Sequence, residues 1–341
     1  MVSTNKTLII FDTNALRHVL RFNKNGNPKD AVYHTFEFGA PFKTVESYII
    51  DNGLSDFVQL AIPRIVLDEL KRQKSRSYLS DLSSFSEIYT LLSKMPYANK
   101  AKMALPDSSF DYRAHIEQIS EEYLNPKKIR LIEIPDDDHL KAVFERIISR
   151  ALNTQPPFKQ HGDVSDAGFK DALIWESILS YSDITGFDKV ILFTNDSGFD
   201  GCKNEFQQII KKYFSIQKSE GDVTDELAKD YADYIENRDF ITFAKTDYFK
   251  SHLEEQLSGK SVLVDAQVYA IIRFEILDPC DSIETSQDKE QNEEINIISK
   301  LKVIFAKNEV ESELTLKVST ILDDAKNILD VPLTKSWWTN D

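Results

Sequence analysis

What this chain has little of narrows it first. No apolar run approaches the roughly 20 residues that a membrane-spanning helix needs, and MVSTNK leads straight into a strand pattern with no leader-like segment. A soluble, cytoplasmic protein without a membrane partner is the expectation. The two cysteines, Cys202 and Cys280, lack metal or redox spacing, which points to a reducing compartment. The 6 histidines show no ligand spacing, and no Ser-His-Asp order suggests itself. Positive charge is short as well: 41 Lys and Arg stand against 56 Asp and Glu, a net charge of −15. That balance argues against broad, non-specific nucleic-acid binding. It leaves room for an enzyme whose acids sit in one cleft. Internal repeats are absent.

What is present begins with TLIIFDTNAL, residues 7–16. Leu8 to Phe11 form a continuous apolar run, the pattern of a strand covered on both faces. Asp12 ends it, and Ala15, Leu16, Val19 and Leu20 follow at helical spacing. Further strand patterns lie in FVQLAI (57–62), KIRLIEIP (128–135), KVILFTND (189–196) and FSIQ (214–217), with helical patterns between them. Residues 78–125 read as a helical insertion or cap. Such alternation predicts parallel pairing and a three-layer α/β/α sandwich over residues 1–215. A helical connector follows over 216–259, with two amphipathic helices, VTDELAKDYADYIENR and FAKTDYFKSHLEEQL. From 260 to 341 the pattern becomes a small antiparallel sheet with three long strands, SVLVDAQVYAIIRFEIL, EINIISKLKVIFA and ESELTLKVSTIL. The acidic stretch DPCDSIETSQDKEQNEE reads as a mobile connection between the first two.

Four acids carry the chemical question. Singly, each has an ordinary reading. Glu69 suits a solvated helix face with Gln73 four residues on; Asp171 suits a helix first turn; Asp12 and Asp196 suit a cap or an Asx turn. Together they are harder to dismiss, because Asp12 and Asp196 follow apolar strands while Glu69 and Asp171 open helices. In a parallel sheet all four positions fall on the carboxyl edge, where open α/β sheets place their sites. Converging carboxylates repel. With no Lys or Arg evident among all four, a divalent cation is the expected counter-charge, and oxygen ligands select Mg²⁺ or Mn²⁺.

The stretches LIIFDTNAL, IPRIVLDEL, GFKDALIWESIL and VILFTNDSGF resemble, in order, the four acid-bearing motifs of the PIN-domain ribonuclease family, in the manner of its larger bacterial PIN-like members. The resemblance covers roughly residues 5–215. It implies a parallel PIN-like sheet and metal-binding, catalytic acids at Asp12, Glu69, Asp171 and Asp196. It also implies support from Asn14 and Thr194, and hydrolysis of RNA, single-stranded by expectation, to a 5′-phosphate and a 3′-hydroxyl. The long gap between Glu69 and Asp171 departs from compact PIN toxins. Beside it stand two further expectations: Lys170 contacts the scissile phosphate, and Lys71, Arg72 and Lys74 contact the substrate backbone. The clusters Lys71–Arg72–Lys74–Arg76 and Lys127–Lys128–Arg130 offer that backbone a path, against an ordinary reading as solvated element ends. Asp163 and Asp166 are either outer acids or loop caps.

Other readings fall away or stay open. LSGKS (257–261) lacks the first glycine and the strand of a phosphate-binding loop. A haloacid-dehalogenase-type site needs an acid where Asn14 stands. A non-catalytic PIN-like scaffold or RNA-binding module, and a structure-specific DNA nuclease, remain as alternatives. Toxin, phage-defence and housekeeping roles are not separated, and neither is self-association. Residues 260–341 show no acid–base–nucleophile set and suggest a protein or regulatory contact. Trp337 and Trp338 are either base-stacking groups or part of a packed C-terminus.

Overall fold

The apolar runs of the first two thirds of the chain become one parallel sheet. The structure, a computed structural model, describes residues 5–19, 21–22, 28–29, 32–96, 110–135, 137–158, 168–264, 267–287, 293–307, 310–323 and 326–330. Strand β1 is Thr7–Phe11, β4 Val58–Pro63, β5 Arg130–Ile132, β6 Lys189–Phe193 and β7 Tyr213–Gln217; the pair β2 (Arg21–Phe22) and β3 (Pro28–Lys29) stands apart. Their order is β5-β4-β1-β6-β7, every pairing parallel, so β1 is central. All five residues of β1 are buried, as a strand covered on both faces requires. Helices on both sides supply the cover: α1 (Thr13–Leu16), α2 (Ala40–Asp51), α3 (Arg64–Leu92), α4 (Tyr112–Leu124), α5 (Asp137–Asn153), α6 (Phe169–Leu179) and α7 (Lys203–Ile209).

Two features fix α6, which carries the third motif. Glu176, fully buried, accepts from Arg146 Nε at 2.7 Å and Arg150 Nε at 3.0 Å on α5. Arg150 also pairs with Glu205 on α7, which takes the Trp175 indole N–H at 2.9 Å. At the start of α6, Gly168 has φ 118°, and a Cβ there would meet the Phe158 ring at 2.8 Å. Only glycine suits both demands.

The chain divides into two compact units, residues 5–227 and residues from 228 onward, the division falling inside α8 (Glu220–Asp230). The second unit holds α9 (Ala232–Ala244) and α10 (Asp247–Leu257), so the two expected helices are three once α8 is counted. Its sheet runs β12-β11-β10-β9-β8, antiparallel throughout: β8 is Ser261–Val264, β9 Gln267–Gln287, β10 Glu293–Lys307, β11 Val310–Leu322 and β12 Ile328–Asp330.

Two sequence expectations fail here. The first long strand is a hairpin, β8 with β9. The acidic stretch is not a connection as far as Gln287, because residues 278–287 complete β9 and pair with β10 in the register Ile283↔Ile297. Composition concealed this. Cys280 is buried, Lys317 on β11 pairs with Asp281 at 2.6 Å, and Pro279 lies at a shift in register, where a missing N–H is tolerated.

Candidate active site

Asp12 sits one residue beyond the end of the central strand. Its N–H donates to the Phe193 carbonyl at 3.1 Å, extending the β1–β6 pairing past Phe11 and fixing the turn into α1. The side chain is 3% exposed. One carboxylate oxygen accepts the Thr13 N–H at 2.7 Å, the other the Thr194 hydroxyl at 2.8 Å. Burial pushes this carboxyl above the ordinary range, against the two hydrogen bonds and nearby Lys170, while Glu69 adds to the rise. Thr194, fully buried just past β6, also accepts the Asp196 N–H at 3.0 Å. One hydroxyl therefore ties the ends of two adjacent strands together. The Asp196 carboxylate accepts the Gly198 N–H at 2.7 Å, so the Asx turn is real as well.

Glu69 lies in the second turn of α3 and faces α1. It accepts from the Thr13 hydroxyl at 2.5 Å, Lys170 Nζ at 2.8 Å and Gln73 Nε2 at 3.0 Å. Burial raises the Glu69 carboxyl, but these donors outweigh it and hold the group below the ordinary range. Lys170 and Asp171 occupy the first turn of α6. Burial lowers the Lys170 ammonium, and Glu69, with Asp171 and Asp12 behind it, more than restores it, to a net rise. The structure thus corrects one sequence argument. A lysine does stand among the acids, bonded to Glu69 and within electrostatic reach of Asp12 and Asp171.

Three participants were missed: Thr13, Gln73 and Arg17. Arg17 donates to Gln73 Oε1 through Nε (3.2 Å) and Nη2 (2.9 Å), and Gln73 in turn holds Glu69. The spacing of Glu69 and Gln73 was visible, but it counted toward a solvated helix face. Gly39 lets the chain approach Arg17, since a Cβ there would lie 2.2 Å from the Arg17 carbonyl oxygen.

Other expected residues disperse. Asn14 is exposed, and its side chain makes no hydrogen bond among the described residues. Lys71, Arg72 and Lys74 do not form one surface: Lys74 lines a small cavity with Arg17 and Gln73, whereas Lys71 and Arg72 line another between α3 and α4. Lys71 is buried and paired with Glu117. In the Lys127–Lys128–Arg130 cluster, Lys127 is bound to Glu46 at 2.9 Å and Arg130 to Asp183 at 2.6 Å, which leaves little charge for a substrate. Asp163, Asp166, Trp337 and Trp338 lie outside the described residues.

The donors suit a hard divalent cation in kind, being carboxylates with a threonine hydroxyl beside them. The arrangement itself does not gather them: among the described residues no group of three or more His, Cys, Asp or Glu side chains could hold a metal ion. Lys170 supplies the nearby positive charge instead. Among the described residues no helix is long and apolar enough to cross a membrane.

A five-stranded parallel sheet with helices on both sides and acids beyond its carboxyl edge defines an α/β protein with a nuclease-type fold. The family model described as PIN domain matches residues 9–199, more than half of the chain, and the chain belongs to the PIN domain family. No curated protein matches it.

Proposed function

We propose that this protein is a metal-dependent endoribonuclease that hydrolyses single-stranded RNA, with Asp12, Glu69, Asp171 and Asp196 as the acids that would draw together around Mg²⁺ or Mn²⁺ once Lys170 leaves Glu69. The observation that carries this reading is the buried Asp12 at the end of the central strand, oriented at both carboxylate oxygens and joined through Thr194 to the Asp196 turn. Ions of this kind, when bound, activate water and stabilise the leaving oxygen of a phosphodiester.

The chain's own residues do the rest. Thr13 N–H and the Thr194 hydroxyl fix the Asp12 carboxylate, so it need not reorganise during the reaction. Thr13, Gln73 and, through Gln73, Arg17 aim Glu69. Lys170, displaced from Glu69, contacts the scissile phosphate in this reading, a role supported by its position beside Asp171 and within reach of Asp12. Water oxygen bonds to phosphorus as the P–O3′ bond breaks, leaving a 5′-phosphate and, with a proton on the leaving oxygen, a 3′-hydroxyl.

Purified protein is expected to cut a labelled single-stranded RNA in Mn²⁺ or Mg²⁺, and to lose the activity in chelator and in Asp12→Asn and Asp171→Asn. Cleavage by the Asn variants at the wild-type rate would remove the assignment.

A further inference from the structure

Helix α3 continues well past Glu69, and its next residues toward the C-terminus carry a second pattern. Arg72 and Arg76 stand three and seven residues after Glu69, on the stripe that those spacings share. At 1.5 Å per residue they lie about 4.5 Å and then about 6 Å further along the axis. Both line a cavity of about 490 Å³ between α3 and α4, with Asp68 and Lys71 of α3 and Arg113 and Glu117 of α4. Lys71 is neutralised by Glu117. The guanidinium groups of Arg72, Arg76 and Arg113 have no ion-pair or hydrogen-bond partner among the described residues, and all three residues are exposed. With Lys71 and Glu117 neutralising each other, three arginines against Asp68 leave this cavity net positive, an exception in a chain with 56 acidic and 41 basic side chains that asks for an anion from outside.

We propose that Arg72, Arg76 and Arg113 form a phosphate ladder that binds the backbone of a single-stranded nucleic acid leading away from the cleavage site. The proposal rests on the nuclease reading above for its polymer, and on the unpaired guanidiniums for its place. Arginine suits the task because its planar donors grip phosphate oxygens in pairs and its charge is permanent. A stripe that starts at Glu69 delivers the strand to the acids. The ladder also answers the net charge: a few uncompensated cations in one line guide a backbone that the rest of the surface repels.

The test measures binding alone. The Asp12→Asn chain in chelator is titrated with a labelled 20-nucleotide RNA at several salt concentrations. Each phosphate contact on a single strand contributes about 0.7 to the slope of log K against log [salt]. Arg72→Gln/Arg76→Gln/Arg113→Gln is therefore expected to lower the slope by about 2. Arg130→Gln, whose arginine is already paired with Asp183, leaves it unchanged. Arg76→Gln alone lowers it by about 0.7, which keeps the test decisive if the triple variant fails to fold. DNA of the same sequence loses the same slope, since it presents the same phosphates.

An unchanged slope, or a loss no larger than that of Arg130→Gln, overturns the ladder; so does a loss seen with RNA only. Active wild type with an unaltered slope removes the ladder and keeps the nuclease. Inactive wild type with the expected slope loss does the reverse.

Discussion

Every residue of β1 is buried, and an acid follows it at the strand end. In β10 of the second unit burial alternates: Ile295, Ile297, Ser299, Leu301, Val303 and Phe305 are buried, and the residues alternating with them are more exposed. The difference is that of parallel and antiparallel sheets. A parallel sheet covered on both faces leaves only its edges for chemistry, and it brings all its strand ends to the same edge. An antiparallel meander sends successive ends to opposite edges, so acids that follow its strands are spread apart. Asp12 and Thr194 meet at 2.8 Å because β1 and β6 run the same way in the register Phe11↔Phe193. In β9 and β11 the charged Asp281 and Lys317 meet across the sheet and neutralise each other.

The comparison breaks if the second unit's core matters to the site. Glu176→Ala in the first unit strips Arg150 and Arg146 of a fully buried partner. It is expected to cost about 3–5 kcal/mol in denaturant unfolding and to lower cleavage by disturbing α6. Leu301→Ala in the second unit removes a side chain that is 0% exposed. A cost of about 2–5 kcal/mol, with cleavage per folded molecule unchanged, is expected. Equal loss of activity in both would mean that the division of labour is wrong.

Lys170→Gln sharpens the first half of the comparison. It takes away the cation bonded to Glu69, so metal-free protein should melt lower. Mn²⁺ measured by calorimetry should bind roughly 10-fold more tightly, the scale of one charge-assisted hydrogen bond of about 1.5 kcal/mol that the ion no longer displaces. Weaker Mn²⁺ binding by the variant would show that Lys170 assists the ion.

A smaller effect follows from the direction in which burial moves Asp12. Its folded-state pKa is raised, so the folded chain holds this proton at a pH where the unfolded chain has released it. Ionising Asp12 therefore costs stability, a cost absent below the ordinary carboxylate range and complete above the raised pKa. Without metal, Asp12→Asn should melt higher than wild type at neutral pH, and the gap should close as pH falls through that range. In both units, finally, burial pushes a lone thiol, Cys202 or Cys280, up to about 12. Neither should be alkylated in native protein at pH 8, measured by mass spectrometry, and both should be after unfolding.

Much of the first unit is legible in residue order. Continuous apolar runs in Leu8–Phe11 and Val190–Phe193 announce strands buried on both faces, and an Asp-Thr-Asn or Thr-Asn-Asp behind each marks the edge. The second unit is less so, because the polar composition of residues 278–287 outweighed their alternation. At the candidate site, the sequence singled out Asp12 and, through the family resemblance, Thr194, but not Thr13, Gln73 or Arg17, whose side chains are informative only through what they face.

The sequence by itself determined the parallel sheet, the acids that follow its strands and the family. These depend on local pattern: burial of contiguous apolar residues and the polar break that ends a strand. Tertiary structure alone decided that Lys170 of α6 stands on Glu69 of α3, 101 positions away, and that Lys71 and Arg72 face away from Lys74. Which charges meet across a fold depends on helix rotation and packing, and one chain's order of residues does not state either.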